Sequence, residues 1–240
     1  MFGSASVPLV VSDSNLALLQ DAAHYQLSLA EYQRRDFKEA EARLPEGHRP
    51  WGWRLMNRDY TSIADTSVVR RAATINAVQG RGMEVVLARH ANPAQFQSQN
   101  LILCGPRRVN PWVELFEPRL NFRSRFVEGE RRASFENAAP QGDEAAEYVV
   151  KWSEIGYGRV AYLPNLQRSG SVLLISGMDM ASTEAGIDLV TSEGRVKELL
   201  ARLGVRGGAR VPHFEVLLRT KPMQGGTWEG TIVAHRILTP

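Results

Sequence analysis

Cysteine is almost missing: of 240 residues only Cys104 carries a thiol, so no intrachain disulfide can form and a disulfide scaffold is excluded. Lysine is scarce too. Of the 29 basic residues only Lys38, Lys151, Lys197 and Lys221 are lysines, and the rest are arginines. Arginine suits two-pronged recognition of carboxylate or phosphate, although a genome-wide codon preference gives the same excess. No apolar run approaches the roughly 18 residues of a membrane span. The start, MFGSASVPLVV, has neither a basic leader nor a long apolar stretch, so it does not read as a signal peptide. Metal chemistry lacks its usual ligands. His24, His48, His90, His213 and His235 are never paired at ligand spacing, and HExxH is absent. GxGxxG after the first strand, GxxxxGK[ST] and GxSxG are absent as well. The sequence therefore implies no metal and no cofactor. The net charge of +3 is small and acidic residues are interspersed, so no direct nucleic-acid binding is expected.

What is present is a globular composition, 43% hydrophobic and 23% charged, with enough material for a core. In the first half, apolar strands alternate with polar steps and helical stretches. VPLVV precedes a helix from about residue 14, and SLAEYQRRDFKEAEARL (28–44) reads as a second helix, with Ser28 and Glu31 forming a capping box. PEGHRPWGW (45–53) reads as an irregular breaker. RDYTSIAD (58–65) reads as a strand before a further helix; MEVVLARH (83–90) and NLILCG (100–105) read as strands. NPWVELFEPRL (110–120) then reads as a helix. This alternation predicts βαβ units and a mainly parallel sheet.

The middle differs. NFRSRFVEG alternates as a half-exposed strand does, and EYVVKWSEIGYGRVAYLPN (147–165) reads as two strands turning through Gly156 and Gly158. SVLLISG (171–177) is a buried strand followed by two helices, and two strands close the chain around Gly225-Gly226. The fold class is α/β: a mainly parallel, Rossmann-like central sheet flanked by helices, with antiparallel additions at 121–165 and 213–238. Residues 7–238 are expected to form one domain, with 1–6 as a disordered tail. One sheet and two lobes both remain open.

Several strands end in a polar or glycine step: VVSDS, TSIAD, LILCGPRR and LLISGMD. In parallel α/β sheets, ligands bind beyond the carboxyl ends of the strands, where helix N-termini add N–H donors and partial positive charge. The ligand-binding candidates are Ser12, Asp13, Asp65, Arg107, Arg108, Asn110, Ser176, Asp179, Ser182 and Thr183. Each has a plainer reading. Asp13, Asp65, Ser182 and Asn110 are good helix caps, and Arg107 or Arg108 can pair with Glu114. Gly105 permits a sharp turn, and Pro111 suits a first helical position. His90 at a strand end is a candidate acid or base. Cys104, inside an apolar strand, reads as inert. Trp51 and Trp53 read as a loop plug, a stacking surface or a partner contact.

VVSDSNLALLQ, RDYTSIADTSVV, NLILCGPRRVNPWVELFE, YGRVAYLPN, LLISG and the closing IVAHR together resemble an uncharacterised α/β domain of bacterial regulatory proteins. That domain occurs behind a winged-helix DNA-binding domain or a membrane segment, and the likeness runs from about residue 7 to 238. It implies a sensory or effector role. These 240 residues carry neither companion, so the chain is a separated domain or stands outside that family. The expected function is non-catalytic sensing of a small polar or anionic ligand in a soluble, cytoplasmic protein, acting through a homo-oligomer or a fused regulatory domain. One alternative is an enzyme on nucleotide or sugar-phosphate glycosidic bonds, using two of Asp13, Asp65, Asp179 and Glu184 as acid and nucleophile. Another is a protein-interaction scaffold.

Overall fold

In the computed structural model, residues 7–80, 82–127, 129–130, 132–222 and 228–238 are described. The expected tail at 1–6 and the Gly225-Gly226 turn lie outside them. Strands β1 (Leu9–Val11), β2 (Val85–Leu87) and β3 (Leu101–Cys104) are short and apolar. They join β7 (Gly156–Pro164), β8 (Ser171–Gly177), β9 (Phe214–Pro222) and β10 (Trp228–Ile237) in a seven-stranded sheet of order β10-β9-β7-β8-β3-β1-β2. The pairs β2/β1, β1/β3 and β3/β8 are parallel, whereas β8/β7, β7/β9 and β9/β10 are antiparallel. Followed through these pairings, all strands but β7 and β10 point the same way. The sheet is mixed, with a parallel core.

Period-two alternation sorts its side chains between two layers. Val10, Leu101, Leu103, Ala161, Leu163, Val172 and Leu174 face a cluster with Leu16 and Leu19 of α1 (Ser14–Ala23) and with Trp112 and Phe116. Their neighbours Leu9, Val11, Cys104, Val160, Tyr162, Leu173 and Ile175 face the opposite cluster. Its helical side chains are Val68 of α5 (Ile63–Val78), Ile187 and Leu189 of α7 (Met180–Thr191), and Leu199 and Leu203 of α8 (Glu193–Arg202). Helices thus cover both faces, as the sequence implies.

The antiparallel additions divide. Strands β4 (Phe122–Val127), β5 (Arg132–Asn137) and β6 (Glu147–Val149) form a separate three-stranded sheet. It meets the large sheet through Phe122, Phe135, Leu217 and Ala234. Beside that contact, buried Glu215 accepts from the backbone N–H groups of Asn121 (2.7 Å) and Phe122 (2.9 Å), and fully buried Arg159 donates to the Phe122 carbonyl at 2.6 Å.

Several local expectations are corrected. Residues 58–62 form no strand; Ser62 caps α5 by accepting from the Asp65 N–H, and Ile63 lies exposed. The 28–44 helix breaks into α2 (Leu29–Arg34) and α3 (Lys38–Arg43) at Arg35, whose φ is 53°. The supposed breaker contains α4 (Arg49–Met56). Pro50 is tolerated in its first turn, where no N–H is needed, and Gly52 lets the helix press against Leu44. Between Pro111 and Pro118 the chain makes only 3₁₀ turns, with bonds such as Val113 N–H to Asn110 O at 3.0 Å. A proline lacks the donor that would extend them. Gly156 and Gly158 lie inside β7, and the chain turns at Lys151–Ile155 instead.

Candidate functional site

The loops after β1, β3 and β8 open into one cleft of about 380 Å³. Ser12 and Ser14 enter it from β1, Gly105 to Val109 from β3, and Gly177 to Met180 with Thr183 from β8. Ser62, Ala64 and Asp65 reach it from the start of α5. Ser124 to Val127 of β4, with Trp152, form the far wall. Three helices of ten residues or more, α1, α5 and α7, therefore begin at the same space. Their positive dipole ends face that space, while Asp13, Ser62 and Asp179 cap the first-turn N–H groups of Leu16, Asp65 and Ser182.

Two local devices bring the walls this close. Gly105 turns at φ +88°, and a Cβ there would stand 2.6 Å from Val109 Cγ2 and 3.0 Å from Ser12 Cβ. The first turn of α7 rests directly on the sheet. A Cβ at Gly177 would fall 2.2 Å from the Thr183 nitrogen, and one at Gly158 2.7 Å from the Ser182 carbonyl.

Six of the ten sequence candidates line the cleft: Ser12, Asp65, Arg107, Arg108, Asp179 and Thr183. Asp65 is buried and its Oδ2 accepts from the Ser12 N–H (2.7 Å), the Ser12 hydroxyl and the Thr61 hydroxyl (2.7 Å). Arg107 pairs with Glu114 at 2.7 Å. Arg108 pairs with Asp21 and lies over the Phe126 ring, 4.0 Å from its centroid. Asp179 caps α7 by accepting from the Ser182 N–H at 2.7 Å, and the Thr183 hydroxyl donates to the Asp179 carbonyl.

The other four candidates stand behind the walls. Asp13 is fully buried, bridged to Arg89 at 2.7 Å, bonded by the Tyr32 hydroxyl at 3.0 Å, and caps α1. Burial and the neighbouring Asp13 charge push the Tyr32 hydroxyl far up, so it stays protonated as a donor. Asn110 donates to the Cys104 carbonyl (2.9 Å), and its buried Oδ1 has no protein partner among the described residues. Ser176 donates to the Gly105 carbonyl (3.1 Å), and Ser182 shares a hydrogen bond with Thr220 (2.9 Å). These four hold the cleft's loops in place.

His90 lies outside the cleft, its Nε2 3.0 Å from Asp59 and its Nδ1 3.1 Å from Arg35. Burial raises the Cys104 thiol well above its ordinary range, and nearby Asp65 adds to the effect, so the thiol stays protonated. Trp51 and Trp53 are exposed on α4. No group of three or more His, Cys, Asp or Glu suited to a metal occurs among the described residues, and none of their helices is long and apolar enough to cross a membrane.

Sequence reasoning missed the far wall. Phe126, Trp152, Ser124 and Arg125 come from the middle of the chain, and nothing in their alternating pattern says that this sheet folds over the strand ends. Ser62 was legible as a helix start once the 58–65 stretch is read as cap and helix. Compared with family models, curated proteins and solved structures, the chain matches none of them.

Proposed function

We propose that the chain is a non-catalytic binding domain that receives a small polar or anionic ligand in this cleft and acts as a sensory or effector unit. The observation that carries the proposal is the meeting of three helix N-termini with the β1 and β3 loops. The chain passes from β1 to β2 on one side and then to β3 on the other. We read this parallel part as Rossmann-like, so that the cleft lies at the point where strand order reverses, where open α/β sheets hold their ligands. Phe126, Met178, Met180 and Trp152 offer apolar area, and the hydroxyls and arginines offer direction, a combination suited to a nucleotide or a phosphorylated sugar.

Catalysis is disfavoured by the state of the carboxylates. An acid–nucleophile pair must reach substrate and exchange protons. Asp13 is locked by Arg89, Asp65 already accepts three hydrogen bonds, Asp179 caps a helix, and Glu184 does not line the cleft. The reading carries with it a cytoplasmic setting and a homo-oligomer or fused regulatory domain as the output.

The test is native mass spectrometry of the gently purified chain, followed by thermal shift with a panel of nucleotides and sugar phosphates. A ligand at 100 times its Kd should stabilise the fold by about 2.7 kcal/mol. The effect should shrink in Arg107→Ala, whose half-buried ion pair with Glu114 still reaches solvent and adds little to the fold itself. A clean apo mass with no shift across the panel would sink the proposal.

A further inference from the structure

At the opposite end of the sheet the chain turns from β7 into β8 through residues 165–170. This turn is firmly built. Buried Asn165 donates its backbone N–H to the Gly170 carbonyl at 2.9 Å and accepts the Ser169 N–H on its side chain at 3.0 Å. The N–H groups of Leu166 and Gln167 reach the carbonyls of Phe96 and Gln97 at 3.3 and 2.9 Å, tying the turn to α6 (Pro93–Ser98). The Ser171 N–H donates to Asn100 Oδ1 at 2.8 Å. Such a frame holds Arg168 at φ +59°, a conformation that side chains other than glycine rarely adopt.

Arg168 lines a hollow of about 180 Å³ with Ser169, Ser171, Arg210 and His213. Arg119 stands behind it, donating to the Pro164 carbonyl at 2.9 Å. A second hollow of about 410 Å³ shares Gly170, Ser171 and Arg210 with the first and extends past Asn100 and Tyr162. No carboxylate is among the described residues that line either one. Neither Arg168 nor Arg210 has an ion-pair partner among the described residues, unlike Arg107, Arg108 and Arg125 at the main cleft, which all have one. The positive charges are left to repel one another. Burial, then Arg210 and Arg119, hold the His213 imidazole below its ordinary pKa, and Arg119 is lowered by burial and then by Arg168. His213 is seated against Tyr162, with ring centroids 5.3 Å apart.

We propose that this hollow is a second ligand site, for a phosphate group carried by a small molecule whose remainder lies along Asn100 and Tyr162. The chemistry is that of a compact anion: the Arg168 and Arg210 guanidinium forks and the Ser171 hydroxyl line the same hollow, with no carboxylate among its described lining residues. A nucleic-acid backbone calls instead for basic groups spread along a path, and these are confined to one end of two strands.

The experiment is isothermal titration of the full chain with inorganic phosphate at fixed ionic strength, with chloride as the comparison, and with the His213 ring resonances followed by NMR. Phosphate should bind and move those resonances. Arg168→Gly and Arg210→Ala should each weaken binding by roughly tenfold or more, as loss of a charge-assisted hydrogen bond does. Arg107→Ala, in the other cleft, should leave the phosphate-induced movement of the His213 resonances unchanged. Arg168→Gly puts glycine at a positive φ that glycine adopts freely, so the turn should be retained and the melt of the variant can confirm it. Equal phosphate affinity in wild type and both variants, or no binding beyond that of chloride, overturns the proposal. So does tighter binding of a short oligonucleotide than of phosphate, released steeply by salt. Because Arg107→Ala reports on the main cleft alone, failure here leaves the first proposal standing, and the reverse holds.

Discussion

Glu215 is a carboxyl whose charge state the fold controls within the physiological pH range. Burial is the main cause of its raised pKa, about 7, and nearby Glu117 adds to it. Arg159 and the N–H groups of Asn121 and Phe122 pull the other way without cancelling the effect. The folded chain therefore keeps a proton that the unfolded chain gives up near pH 4.5. Between those two values the folded state binds more protons, so stability falls as pH rises through the window. The loss should be on the order of 3 kcal/mol between pH 4.5 and 7, and should level off above. Urea midpoints taken at intervals from pH 4.5 to 8 will show it, and Glu215→Gln should flatten that part of the slope whatever its own stability. Glu215 stands at the joint between the sheets, so the same titration should loosen β4 before it loosens the parallel strands.

Among the elements, α7 depends most on what lies beneath it. Gly177→Ala would set a methyl 2.2 Å from the Thr183 nitrogen, and backbone cannot yield as a side-chain tip can. The helix start must lift from the sheet. Overpacking of this kind costs about 1–3 kcal/mol. The variant should also lose ligand stabilisation in the main cleft, because Asp179, Met180 and Thr183 move with that turn; thermal melts with and without ligand check both. This layer of the fold was readable in advance. LILC, SVLLISG and the helix after MDMAST have the run length, the glycine step and the cap that mark strand, turn and helix, and they put four of the cleft's candidates, Arg107, Arg108, Asp179 and Thr183, on one edge. Other stretches misled for identifiable reasons. TSIAD has β-branched residues, yet its Ser62 is a cap, and local capping outweighed weak strand propensity. Trp51 and Trp53 sit in a helix because Pro50 comes early enough to be harmless. The lid formed by β4 and Trp152 was not legible at all, since which sheet a strand joins depends on partners far along the chain.

At the scale of the molecule the two sheets differ in how they are held. β3, β7 and β8 are buried on both faces, whereas β6 has three residues, none of them buried, and the small sheet meets the large one through a cluster of only four buried side chains and the polar bonds of Glu215, Arg159 and Arg236. Hydrogen exchange should follow that difference. Amides of β8 and β3 should exchange only on global unfolding, and those of β6 much earlier. Equal protection in β6 and β8 would mean that the two sheets open as one unit. Strand β8 spans the full depth between the proposed sites, beginning at Ser171 in the basic hollow and ending at Gly177 in the cleft. Seven extended residues cover roughly 20 Å, too far for two small ligands to touch. Any influence of one on the other would be carried by the strand as a coupling free energy, and such couplings are reciprocal. Whatever factor phosphate lends to the affinity of the cleft, the cleft's ligand must return to phosphate, so titrating either one in the presence of the other measures the whole exchange.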